Sequence, residues 1–84
     1  MKIRPDAYPL CYDANELFGK MIFSYVQNTG SQKSHFPSGT EYNNGYVLNL
    51  YNTYETQILF VYAIKKVYVR HKDTIEIGEW YALN

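Results

Sequence analysis

The longest unbroken apolar run, Ile58 to Ile64, lies inside a stretch, Gly45 to His71, that is dense in β-branched and aromatic residues. Such residues fit a pleated, half-buried surface better than a helix. From Tyr46 to Tyr51 the side chains alternate, with Tyr46, Leu48 and Leu50 on one face and Val47, Asn49 and Tyr51 on the other. Gln57–Ile64 is apolar on both faces, which predicts a central strand covered on both sides. A buried helix from Glu55 onward is the competing reading. Tyr51 to Tyr54 offers a turn between these two strands. Lys65-Lys66 interrupts the apolar run, as a bulge in one long strand or a turn between two. Beyond it, Val67 and Val69 face one way and Lys66, Tyr68 and Arg70 the other. Lys72-Asp73 opens a turn, Ile75 and Ile77 resume the alternation, and Trp80–Leu83 closes the chain as an edge strand or a lid.

Upstream the period changes. Pro5 and Pro9 keep Met1–Tyr12 extended. Asp13 and Glu16 then read as a capping box. Leu17, Phe18, Met21, Ile22, Tyr25 and Val26 draw one apolar stripe, which predicts a helix of roughly Ala14–Asn28. Gly19 opposes it, at a cost of about 1 kcal/mol inside a helix, and a strand from Gly19 to Gln27 is the rival. The polar stretch from Gln27 to Gly45 is loop chemistry, and its nineteen residues are long for a mere connection. The predicted fold is α+β: that helix packed on a four- or five-stranded antiparallel sheet. The alternative is an all-β, SH3-like or OB-like small barrel with residues 19–27 as its first strand. The predicted core comprises Leu17, Met21, Ile22, Leu48, Leu50, Leu59, Val61, Val67 and Val69.

Composition narrows the class more than the function. Eighty-four residues suit a single domain spanning 1–84. At 46% hydrophobic and 18% aromatic, the chain is too apolar to be disordered. Eight basic and eight acidic side chains cancel, so no global field draws in nucleic acid or an anionic membrane. The lone Cys11 and the lack of an apolar leader in MKIRPDAYPL make the cytoplasm the expected location. No run approaches the roughly 20 apolar residues of a membrane span.

Candidate chemistry is sparse. Cys11 with His35 or His71 could form a thiol–imidazole pair, but neither histidine stands at a standard zinc spacing from it. Glu76 and Glu79 are the paired carboxylates, and solvated edge positions account for them. Gly30, Gly39 and Gly45 are too widely spaced to cradle a phosphate. The expectation is therefore no enzyme, no cofactor and no metal. Lys66, Tyr68, Arg70 and His71 mix cations with rings, which supports a nucleotide- or single-strand-binding face as the alternative function. The favoured expectation is a protein-binding module that inhibits or modulates its partner, of the sort phages and other mobile elements encode. A homo-oligomer is compatible with it. Ten tyrosines underlie this reading, since such rings bury much area at little rotamer cost. The expected contact lies on the Thr29–Tyr46 loop and nearby rings: Phe36, Tyr42, Tyr46, Tyr51 and Tyr54. Phe36-Pro37 in that loop either anchors it or meets the partner.

Overall fold

The computed structural model describes residues 11–26, 35–40 and 44–84. Five strands pair antiparallel in chain order: β1 (Ile22–Val26), β2 (Gly45–Tyr51), β3 (Glu55–Val61), β4 (Lys66–Lys72) and β5 (Tyr81–Ala82). The register sets Leu48 opposite Ile58 and Ile58 opposite Val69. The turn between β2 and β3 falls where Tyr51–Tyr54 predicts it. Between β3 and β4 the chain turns through a short 3-10 segment, Tyr62–Ile64, and Lys65 adopts the left-handed conformation at φ 55°. Lys65-Lys66 therefore separates two strands, and no helix starts at Glu55.

The predicted helix does not form within the described residues, and its positions 27 and 28 lie outside them. Asp13 does cap, its carboxylate accepting the Asn15 N–H at 2.9 Å, but only a four-residue 3-10 turn follows, Ala14–Leu17. Gly19 then takes φ +84°, a conformation open to glycine and closed to a continuing helix. From Ile22 the chain pairs along β2, Ile22 opposite Asn49 through to Val26 opposite Gly45. The rival strand at residues 19–27 thus appears as β1. The sheet is open, however, with β1 and β5 at its two edges, so no barrel closes.

Only one face of the sheet carries a covering of described residues. Cys11, Leu17, Val26, Val47, Leu59 and Val61 form the buried cluster, with Ile22, Phe36, Tyr68 and Trp80 packed against it. The core expectation holds for Leu17, Leu59 and Val61, which belong to the buried cluster, while Val69 is also buried but its register sets it beside Ile58 on the opposite face. Met21 is 67% exposed and Leu50 39%, and Leu48 and Val67 are half-buried on the opposite face. In β2 the inward set is Val47 and Asn49, so the alternation is real and its faces are reversed. β3 is likewise covered by described residues on one side only, since Leu59 and Val61 are buried and Phe60 between them is exposed. Ile75 and Ile77 do not continue the sheet beyond one bridge, Ile77 to Lys72, and both side chains are exposed. There the Asp73 carboxylate accepts the N–H groups of Ile75 and Glu76 and sets the turn. The chain end fulfils both of its expected roles: Tyr81–Ala82 is an edge strand, and Trp80 folds onto the covered face. Among the described residues no helix is long and apolar enough to cross a membrane.

Candidate functional site

The covered face is unusually polar for a core, and most of its polar side chains have structural tasks, although Ser24 Oγ and Asn49 Oδ1 are buried without a hydrogen-bond partner. Gln57 donates to the Ala14 carbonyl at 2.6 Å, and Asn49 donates to the Lys20 carbonyl at 2.6 Å. The Glu55 carboxylate accepts the Gly19 N–H at 2.6 Å, so three side chains of the sheet tie down the segment that lies across it. Arg70, 4% exposed, donates through Nε to Gln57 and through Nη2 to Asn15. Its guanidinium lies between the rings of Phe18 and Trp80, 5.0 and 4.8 Å from their centroids. Burial pulls the Arg70 pKa down to about 10, which leaves it charged at neutral pH. Burial pushes the Cys11 thiol up to about 12, so it is a packed side chain and a poor nucleophile.

A second tie holds the 35–40 segment. His35 Nδ1 sits 2.7 Å from Asp13 Oδ1, and the His35 carbonyl accepts the Trp80 indole N–H at 2.8 Å. These contacts hold His35 at φ 61°, outside the usual range for a residue with a side chain. Burial alone would raise the Asp13 carboxyl; the Asn15 N–H and the His35 ring outweigh it, and the net shift is downward. Phe36 stacks on Trp80 at 6.5 Å and Pro37 is buried, which is the anchoring arrangement.

The opposite face has another character. Its first row runs Tyr25, Tyr46, Phe60, Val67 across β1 to β4. The second runs Phe23, Leu48, Ile58, Val69, Tyr81 across all five strands. The third is Leu50, Thr56, His71. No Asp, Glu, Lys or Arg occupies any of these register positions. Tyr46 is the hub of an aromatic cluster, with centroids of Phe23, Tyr25 and Tyr62 at 5.6, 5.5 and 5.8 Å. A hydrogen bond with Tyr62 keeps the Tyr25 phenol above its ordinary pKa. At the other end, His71 Nε2 is 2.8 Å from the Tyr81 hydroxyl and Nδ1 3.0 Å from Thr56 Oγ1. The described segments that pack on the sheet, Cys11–Gly19 with Phe36 and Trp80, all lie on the other side.

The residues singled out in the sequence are scattered by this arrangement. Of the contact set, Tyr46 stands on the open face, Phe36 on the covered one, and Tyr51 and Tyr54 are exposed around the β2–β3 turn. Tyr42 lies outside the described residues. Of the alternative ligand face, Arg70 is buried, Tyr68 packs on the core, and Lys66 Nζ donates to the Asn84 carbonyl; His71 points to the open side. The sequence reading missed Phe23, Tyr25, Phe60 and Tyr62 as surface residues, because strand alternation shows which residues share a face and not which face is covered. An open depression of about 440 Å³ beside the β4 end is lined by Tyr54, His71, Lys72, Asp73, Glu76 and Gly78. Two of its charged side chains are engaged: Lys72 reaches Glu55 at 3.8 Å and Asp73 holds the turn amides. Among the described residues, no group of three or more His, Cys, Asp or Glu is placed to hold a metal ion.

No family model matches this chain, and neither the curated proteins nor the solved structures yield a match.

Proposed function

We propose that the protein is a non-enzymatic binding module that inhibits or modulates a protein partner through the open face of its sheet. The observation that carries this reading is the charge-free face itself, on which Phe60, Leu50, Tyr81 and Tyr62 are 38 to 50% exposed. Contiguous apolar surface of this kind is costly to leave in water and marks interaction sites when it persists on a folded domain. Aromatic rings held by their neighbours also bind with little further loss of rotamer freedom. The nucleic-acid alternative draws less support. Lys66 and Arg70 are committed elsewhere, so the open rings lack the cations that supply most nucleic-acid affinity.

The test compares tagged wild type with Phe60→Lys in capture from cells of the source organism. A protein retained by wild type should fall at least about tenfold with the variant, at unchanged melting temperature, since Phe60 is outside the buried cluster. Equal capture by both proteins, or recovery of an oligonucleotide in place of a protein, would remove the open face as the contact surface.

A further inference from the structure

We infer that residues 76–84 form a displaceable strap over the outer edge of β4, and that this edge takes up an extended peptide strand when the strap lifts. The inference does not rest on the open face being a contact surface.

The strap follows from how β4 divides its hydrogen bonds. Alternate residues of an antiparallel strand turn their backbone groups to opposite neighbours. Val67 turns both of its groups outward: its N–H donates to Asn84 Oδ1 at 2.9 Å, and its carbonyl accepts the Leu83 N–H at 2.8 Å. The His71 carbonyl accepts the Gly78 N–H at 2.7 Å, and the Asp73 N–H donates to the Glu76 carbonyl at 3.0 Å. At the far end the Lys65 carbonyl accepts from Asn84 Nδ2 at 2.7 Å, so a side-chain amide stands in for a last strand residue. By the same alternation Tyr68 and Arg70 turn their backbone groups to β3, where they stand opposite Leu59 and Gln57.

Little besides this ladder holds the strap. Along 76–84 every residue is exposed except Trp80. At the opposite edge of the sheet, by contrast, β1 buries Ser24 and Val26. The Tyr81 hydroxyl beside His71 and the Asn84 carbonyl on Lys66 add only exposed ties. Exposed backbone bonds with little apolar burial behind them belong to the least stable part of a fold. Trp80 is the peg, its ring against Phe36 and the Arg70 guanidinium and its indole N–H on the His35 carbonyl.

The strap's own contacts define what replaces it. With 76–84 lifted, the outward groups of Lys65, Val67, His71 and Asp73 form a row of donors and acceptors at strand spacing, the template for strand addition. The place of the peg lies over a buried cation, which favours the face of an aromatic ring. The occupant is therefore an extended peptide carrying an aromatic side chain that reaches Arg70.

Amide exchange of the full chain tests the strap. Val67, Gly78 and Leu83 should exchange at least about 100-fold faster than Tyr68 and Arg70, with a much shallower rise in urea. Equal rates and equal slopes overturn the inference. Strand uptake is read with a peptide of residues 76–84 added to Trp80→Ala. That variant has no tryptophan, so the emission belongs to the peptide. Loss of the peg also weakens the tethered strap, which otherwise competes at high effective concentration. The emission should shift to the blue and saturate, and the peptide carrying Asn84→Ala should bind at least about tenfold more weakly. Trp80→Phe, equally free of tryptophan, takes over if Trp80→Ala does not fold. A peptide that neither variant binds overturns strand uptake, and one that binds equally well with Asn84→Ala removes the β4 edge as its seat.

Discussion

Leu59 and Phe60 are neighbours in the chain with opposite environments, one 1% exposed inside the covered cluster and the other 38% exposed on the open face. Deleting a buried leucine side chain removes its transfer free energy and leaves a cavity. Leu59→Ala should therefore cost roughly 2–5 kcal/mol, a large part of what holds so small a domain. Phe60→Ala should cost less than about 1 kcal/mol in the monomer, since its ring is already wet on one side. Urea denaturation of both variants, under conditions where the chain is monomeric, checks the pair. Equal losses would mean that the faces have been assigned wrongly. Most polar residues inside obey the same logic, Ser24 being the buried exception without a partner. Gln57 and Arg70 are acceptable there because each finds partners, and an unpaired buried group would cost about 1–3 kcal/mol.

At the scale of elements, β2, β3 and β4 were legible, and the inner face was read correctly in β3 but not in β2 or β4. Alternation in Tyr46–Tyr51 located β2, and Tyr51–Tyr54 located its turn. Leu59 and Val61 were read correctly as core, but Leu48, Leu50 and Val67 were read with them because hydrophobicity is ordinarily a guide to the inside. In this sheet the inside was chosen by Asn49, Gln57 and Glu55, whose hydrogen bonds to backbone groups of the 14–20 segment are long-range and leave no local trace. The helix was misread for a related reason. Leu17, Phe18, Met21, Ile22, Tyr25 and Val26 fit a helical stripe, but pairing with β2 outweighs that spacing, and Gly19 was its one local warning. Of the expected contact residues, Tyr46 alone falls within the aromatic rows, since sequence shows ring content and not which rings converge.

The covering segment also carries a pH dependence. The Asp13 carboxyl is held below its ordinary value when folded, so it contributes stability above the unfolded carboxylate pKa and loses it as the pH falls through the lower folded value. Its neighbours in this are the Asn15 N–H, His35 and Arg70. Asp13→Asn should accordingly lower stability at neutral pH and flatten the acid limb of the stability profile in the range at and below the ordinary carboxylate pKa of 3.8. Melting temperature followed from neutral pH downward checks it. An acid limb with wild-type slope would mean that other carboxyls carry the effect.

As a whole the described part of the molecule is two-sided, with a polar-laced core under a covering segment and an apolar face that no described segment covers. Cys11 is buried at the start of that segment, and no second cysteine is present to confuse its signal. With its thiol pushed up to about 12 by burial, it should react with a thiol reagent only when the segment lifts. Labelling of the native protein should be at least about 1,000-fold slower than that of the unfolded chain, as the opening free energy of a stable domain implies. Because Glu55, Asn49 and Gln57 bind the segment to the sheet, the labelling rate should rise with urea as steeply as global unfolding does. A shallow rise would mean that the segment opens by itself. One buried sulfur thus serves as a clock for how often the protein comes apart.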